Sequence, residues 1–296
     1  MAKQVKGKCR YCGKEYGKAY IIRHLASCKE RERRLEKETG KRKCGYFELL
    51  IYGKYNHDYW MVIEINETAT LEYVDKFLRD IWLECCGHLS DFEINGVSYE
   101  RYPDPDPFWG REVQSMDCKL KSVFQEGMSV RYRYDFGSTT ELVIEVRGYR
   151  IGYERKENLL ILSRNNPKTF VCGECGKRTA VYIAPELVYD GNPFLCRECS
   201  EQEEYEEEFL LNVCNSPRMG CAVITEARFI LRSLFRIRTV RKLNLFPPLF
   251  STYLLLQHIV CGEMVYRQFE GSGGMHRRTG LAAVPGENAA GLLGMC

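Results

Sequence analysis

The most regular alternation of apolar and polar positions lies between residues 44 and 164. Two apolar-rich runs, YFELLIY at 46–52 and YWMVIEI at 59–65, flank the polar turn GKYNHD and predict adjacent strands. The segment LEYVDKFLRDIWLECCGH then places apolar residues at 71, 74, 77, 78, 81 and 82. That is a 3.6-residue period, so an amphipathic helix is predicted, with Thr70 as its N-cap. Next, HLSDFEINGVSYE predicts a hairpin turning at Asn95-Gly96. The proline-rich RYPDPDPFWG predicts a loop. Beyond it, Val130, Tyr132 and Tyr134 share one face of a strand, and Leu142, Ile144 and Val146 share one face of the next. Strands interrupted by a single helix predict an α+β domain built on a mostly antiparallel sheet.

Composition changes the picture at the two ends. The 296 residues include 15 cysteines. The longest apolar stretch, about 243–260, is broken by Pro247-Pro248 and carries Gln257 and His258, short of the roughly 20 apolar residues a membrane span needs. The basic first eight residues lead into no apolar run, so the expectation is a cytoplasmic protein with reduced thiols, in which cysteines ligate metal rather than pair. Residues 1–43 hold 15 Lys/Arg against 5 Glu, a local net charge of +10, whereas ECSEQEEYEEE at 198–208 has 7 Glu and only acidic charge. The basic end suits a polyanion, and both charge runs also suit solvated helix faces.

The cysteine spacing is the strongest chemical signal. Cys9, Cys12, His24 and Cys28 form C-x2-C-x11-H-x3-C. A Cys-x2-Cys turn presents two thiolates to one ion, and His24 and Cys28, four residues apart, fall on one helical face. With Tyr16 and Ile21 as packing residues, the segment resembles a ββα zinc finger with Cys in place of the last His. Its helix is expected to continue as a basic stretch in which Lys29, Arg31, Arg33 and Arg34 contact nucleic-acid phosphates. Cys172, Cys175, Cys196 and Cys199 form two Cys-x2-Cys pairs twenty residues apart, the pattern of a zinc ribbon. Four N/S ligands leave no open position in either set, so two structural zinc ions are expected, neither of them catalytic.

Asp135-Phe136-Gly137 spells the magnesium-binding tripeptide of protein kinases. The Gly-rich loop, strand lysine and catalytic-loop Asp and Asn that a kinase also needs do not precede it. The surrounding residues point elsewhere. Trp60 to Ile63, Thr70-Leu71, the HL-x-x-F run at 88–92 and YDFG at 134–137 together resemble the plasmid pRiA4b ORF-3-like family, over roughly residues 44–150. Ser138-Thr139 stand where many members have Asp and an aromatic. The resemblance implies an α+β fold and a link to insertion-sequence passenger proteins labelled TnpR-like. It implies no established activity, and the nucleophilic serine and arginine cluster of a serine recombinase are missing. Members with flanking cysteine segments extend the likeness to about residue 220.

The chain therefore divides into a C2HC finger with a basic helix (1–43), the α+β domain (44–164), a four-cysteine zinc ribbon (165–200), an acidic helix with the NSPRMG motif (201–220) and an atypical tail (221–296). The tail has 1 Lys and 8 Arg, no Asp and little helical periodicity. The resemblance adds that family members run NSPR-x-G-VCGY, and one deleted base converts that reading to the Gly-Cys-Ala-Val-Ile seen here, so the tail is expected to be out-of-frame and disordered, the rival reading being a genuine basic-hydrophobic tail that docks on a partner or membrane surface. The function expected is a non-enzymatic zinc protein of mobile elements that binds DNA or RNA or serves as an adaptor. The alternatives are an enzyme of unknown reaction near His88 and Asp135, with His57, Asp58 and Asp91 as further candidates, or a protein–protein interaction module.

Overall fold

A computed structural model describes residues 5–84, 87–103, 112–188, 191–202 and 210–221. The tail from 222 onward, most of the expected acidic helix and most of the proline-rich loop lie outside the described residues. None of the described helices is long and apolar enough to cross a membrane.

The first strand pair, β1 (Lys6–Lys8) and β2 (Glu15–Gly17), is an antiparallel hairpin leading into helix α1 (Lys18–Ser27). The expected continuous helix is instead two. Cys28 takes an extended conformation (φ −76°, ψ 107°), and α2 (Lys29–Glu36) starts afresh after it. The central sheet contains β3 (Lys43–Gly53), β4 (Trp60–Asn66), β5 (Ser90–Ile94), β6 (Val97–Glu100), β7 (Val113–Ser115), β8 (Ser129–Tyr134), β9 (Thr140–Tyr153) and β10 (Leu159–Arg164). Its order is β10-β4-β3-β9-β8-β5-β6-β7, antiparallel throughout except for β6 with β7. The mostly antiparallel α+β architecture is as the periodicity predicts.

Helix α3 (Leu71–Leu78) starts where expected, the Thr70 hydroxyl accepting from the Tyr73 N–H at 3.2 Å. Its last turn widens into a π-helical turn, Arg79–Leu83. Leu71, Val74, Phe77, Leu78, Ile81 and Trp82 are all buried against one face of the sheet, where they meet Leu49, Ile51, Met61, Ile63 and the alternating residues of β8 and β9. The one-turn helix α4 (Leu120–Val123) adds Leu120 to the same core. The Asn95-Gly96 turn has φ of 52° and 83°, as a type I′ hairpin requires.

The opposite face of β3, β4 and β10 is covered too. Leu50, Trp60, Val62 and Leu162 pack against Ile21, Leu25, Cys9 and Cys28 of the N-terminal unit. This explains why β4 is buried at every position rather than alternately. The fit is close. A Cβ at Gly7 would lie 2.1 Å from the Arg164 carbonyl oxygen and 2.8 Å from the Trp60 ring. Main-chain hydrogen bonds from Arg10 to Leu162 (2.8 Å) and from Asn166 to Lys6 (2.7 Å) join the two units.

After the sheet, β11 (Tyr182–Ile183), β12 (Phe194–Leu195) and β13 (Leu211–Asn212) form a small sheet of order β12-β11-β13. Helix α5 (Arg197–Gln202) carries the last cysteine of the spaced set.

Candidate metal centres

Both cysteine sets converge as their spacing predicts. The ligand atoms of Cys9, Cys12, His24 and Cys28 all lie within 4.8 Å of one another, as do those of Cys172, Cys175, Cys196 and Cys199. Cys9 Sγ and Cys28 Sγ are 4.0 Å apart, Cys12 Sγ and His24 Nε2 3.3 Å, and Cys175 Sγ and Cys196 Sγ 4.0 Å. Metal–sulfur bonds of about 2.3 Å in a tetrahedron put sulfurs about 3.8 Å apart, so each set fits one four-coordinate ion. The cysteines of both sets are unpaired thiols.

The same local device builds one half of each set. Cys9-Arg-Tyr-Cys12-Gly13-Lys14 and Cys172-Gly-Glu-Cys175-Gly176-Lys177 share the pattern C-x-x-C-G-K. Gly13 (φ 71°) and Gly176 (φ 63°) make the left-handed turn, and each donates its N–H to the carbonyl of the first cysteine, at 2.9 and 3.0 Å. The turn aims main-chain N–H groups at the sulfurs. Hydrogen bonds from the Arg178 and Lys177 backbone lower Cys175 to about 6, while a hydrogen bond with Cys196, followed by burial, raises Cys199 to about 12. Burial likewise raises Cys9 to about 11. Four crowded sulfurs cannot all hold negative charge unless a cation stands among them. His24 is lowered by burial and by Lys14, which favours the neutral imidazole a metal takes. Tyr16 stacks on its ring at 4.0 Å and fixes its orientation.

The four expected phosphate contacts are placed differently from one another. Lys29, Arg33 and Arg34 are exposed, and Arg33 pairs with Glu30 at 2.6 Å. Arg31 turns inward. It is buried and pairs with Glu48 at 2.7 Å and Glu64 at 3.4 Å on the finger-facing side of the sheet. Its charge is committed inside the chain, so it does not join an outward contact surface. Burial would raise Glu64, but the hydrogen bonds and charges of Arg150 and Arg155 overcome it and hold the carboxyl below its ordinary range. Glu38 adds a third carboxylate to the same network.

On the helix side, the structure brings His88 and Asp135 together, with Nδ1 and Oδ1 3.6 Å apart. Asp135 sits at φ 62° and accepts from the Gly137 N–H at 3.0 Å, ordering the turn between β8 and β9. Burial works against its charge, but Arg218, the Gly137 and Ser138 N–H groups and His88 together lower its pKa. Arg218 is 2% exposed and also donates to the Ser138 carbonyl at 2.7 Å and the Thr140 hydroxyl at 3.1 Å. The neighbouring Ser216 donates to the Trp82 carbonyl, and Asn215 exchanges hydrogen bonds with Asn165. Sequence reasoning singles out NSPRMG without giving Arg218 a role, because its partners lie 78 to 83 residues earlier. The other candidates are dispersed. His57 Nε2 meets the Lys54 carbonyl at 3.1 Å, Asp58 pairs with Lys168 at 2.7 Å, and Asp91 is buried on the other face against Arg133 and Ser98. Cys85 and Cys86 lie outside the described residues.

Residues 53–164 match the family model of the plasmid pRiA4b ORF-3-like protein. The match runs from the end of β3 to the end of β10 and stops short of both cysteine segments. Among solved structures, the chain is similar to a protein of unknown function, MM3350 from Methanosarcina mazei Go1. The two are 19% identical with a TM-score of 0.36, over 41% of this chain and 69% of that one. No curated protein matches.

Proposed function

We propose that this chain is a non-enzymatic protein with two structural zinc ions, whose N-terminal finger contacts DNA or RNA. Zinc is the metal that suits closed tetrahedra of three Cys and one His, or of four Cys, in a reducing cytoplasm. The likeness to pRiA4b ORF-3 proteins suggests a mobile element as the setting. One observation carries the nucleic-acid reading, namely the charge on the finger's outer surface. Lys6, Lys8, Arg10, Lys14 and Arg23 are exposed, and Glu15 is the only acidic residue between 6 and 27. The apolar side, Ile21 and Leu25, is spent on the sheet, so this basic side is the one left for a partner. Lys29 and Arg34 extend it, while α2 as a whole is nearly charge-balanced.

The test is fluorescence anisotropy with labelled single-stranded and duplex oligonucleotides over a salt series. Binding at low salt should fall steeply as salt rises. Removing Lys8 and Arg23 together should weaken it for all sequences alike and reduce the salt slope by about 2. Absence of binding at low salt would remove the reading. A partner retained after nuclease treatment would instead favour a protein adaptor.

A further inference from the structure

We infer that the chain forms a symmetric homodimer by pairing the free edge of β9, at Gly148-Tyr149-Arg150-Ile151-Gly152, with the same segment of a second copy. β9 outruns its neighbour. β8 pairs with it only from Thr140 to Glu145, and Gly127 and Met128 bond to Val146 beyond that. From Gly148 to Gly152 the main chain is paired with β3 alone among the described residues.

The side facing away from β3 can be assigned. Gly45, opposite Ile151, exchanges its main-chain N–H and C=O with Glu67 rather than with Ile151. The Glu154 N–H, by contrast, bonds to the Arg42 carbonyl. In an antiparallel pair the bonded residues alternate, so Gly148, Arg150 and Gly152 bond to β3, and Tyr149 and Ile151 point their N–H and C=O outward. Such an edge is a template for another strand. Its outward residues leave apolar surface open, with Ile151 59% exposed and Tyr149 42%, the Tyr149 hydroxyl donating to Glu67 at 2.8 Å and its ring against Phe47.

The occupant is a second copy because the segment is symmetric about Arg150. A two-fold axis there sets Tyr149 opposite Ile151 and Ile151 opposite Tyr149, the register in which outward N–H and C=O groups meet in four hydrogen bonds. The two Tyr and two Ile side chains then form one apolar cluster on the helix side. On the other side the two Arg150 residues face each other, but each is already neutralised by Glu38 and Glu64 of its own chain. The Arg150 guanidinium lies over Gly152, where a Cβ would come within 2.3 Å of it. The axis places Gly148 of the second copy opposite Gly152, so no side chain competes for that space. An interface of five residues a side is small, so the dimer should depend on concentration.

Sedimentation or light scattering of the zinc-loaded full chain over a concentration series tests this. The mass should rise from one chain toward two across the micromolar range. Ile151→Pro should hold it at one chain, since that residue's N–H points away from β3 and has no partner among the described residues, so its loss spares the β3 ladder. Ile151→Lys does the same by charge and serves if the proline variant fails to fold. A wild-type chain that stays monomeric at every concentration, or a dimer that survives both variants, would overturn the proposal. Capture of a different protein by a monomeric chain would likewise overturn it.

Discussion

Arg31 and Arg218 carry charge into the interior, and each holds two parts of the chain together. Arg31 ties α2 to Glu48 and Glu64 on the sheet, and Arg218 ties the 215–218 segment to Asp135 in the β8–β9 turn. Neither role is legible in the sequence. Arg31 sits in KERERR, which reads as a solvated helix face, and the carboxylates that draw it inward are distant along the chain. The approach of His88 to Asp135 is legible, because a strand start and a hairpin turn at one end of a sheet must meet. Removing one partner of a buried pair leaves the other charge unpaired, so Arg218→Ala should destabilise the protein by roughly 3–5 kcal/mol in urea unfolding at pH 7. The pH dependence follows from the lowered pKa of Asp135. Its stabilisation is present above the unfolded carboxyl's value, about 3.9, and is lost as pH falls through the lower folded value. Asp135→Asn should therefore cost stability at pH 7 and show a weaker acid dependence below about pH 4. An Arg218→Ala chain as stable as the parent would show that the pair is dispensable.

Elements read well where one face meets water and less well where both faces are covered. The α3 period, its Thr70 cap and the Asn95-Gly96 turn are local signals and fall where expected. The alternation in β8 and β9 does as well, although β9 runs on to Tyr153. The docking of the finger on β3, β4 and β10 is not visible in the sequence. Strands buried on both faces lose their alternation and read only as apolar runs. The break between α1 and α2 is hidden because Cys28 leaves helical geometry at the point where its thiol meets Cys9, Cys12 and His24, a long-range arrangement that helix propensity does not register. The contact at Gly7 gives the docking a direct test. Gly7→Ala forces a methyl group against the Arg164 carbonyl and the Trp60 ring, and overpacking of this kind costs roughly 1–3 kcal/mol. The expected result is a lower unfolding midpoint together with a shift in tryptophan emission as Trp60 meets water. An unchanged midpoint and spectrum would show that the finger does not rest there.

For the whole molecule, two small cysteine-bearing units flank a sheet domain, and the parts are joined by specific contacts. The N-terminal unit shares an apolar cluster with the sheet, and the 215–218 segment returns to the sheet's turns and to Trp82. The cysteine spacing makes both candidate metal sites legible because ligand geometry is local and strict. The joins are not legible, since they depend on surfaces that only the folded chain creates. Units this small gain little from apolar burial alone, and a metal ion bound by such a unit is coupled to its fold. Chelation should unfold the finger and expose the Leu50, Trp60, Val62 and Leu162 face while leaving the helix-side core intact, which near- and far-ultraviolet circular dichroism would separate. The central claim, that two closed sites each hold one zinc ion, is tested most directly by native mass spectrometry of the full chain purified without chelator. The account predicts a mass shift of two zinc ions, falling to one when Cys12 or Cys175 is replaced by serine. A chain that carries none or only one, or that stays fully folded after both are removed, would contradict it.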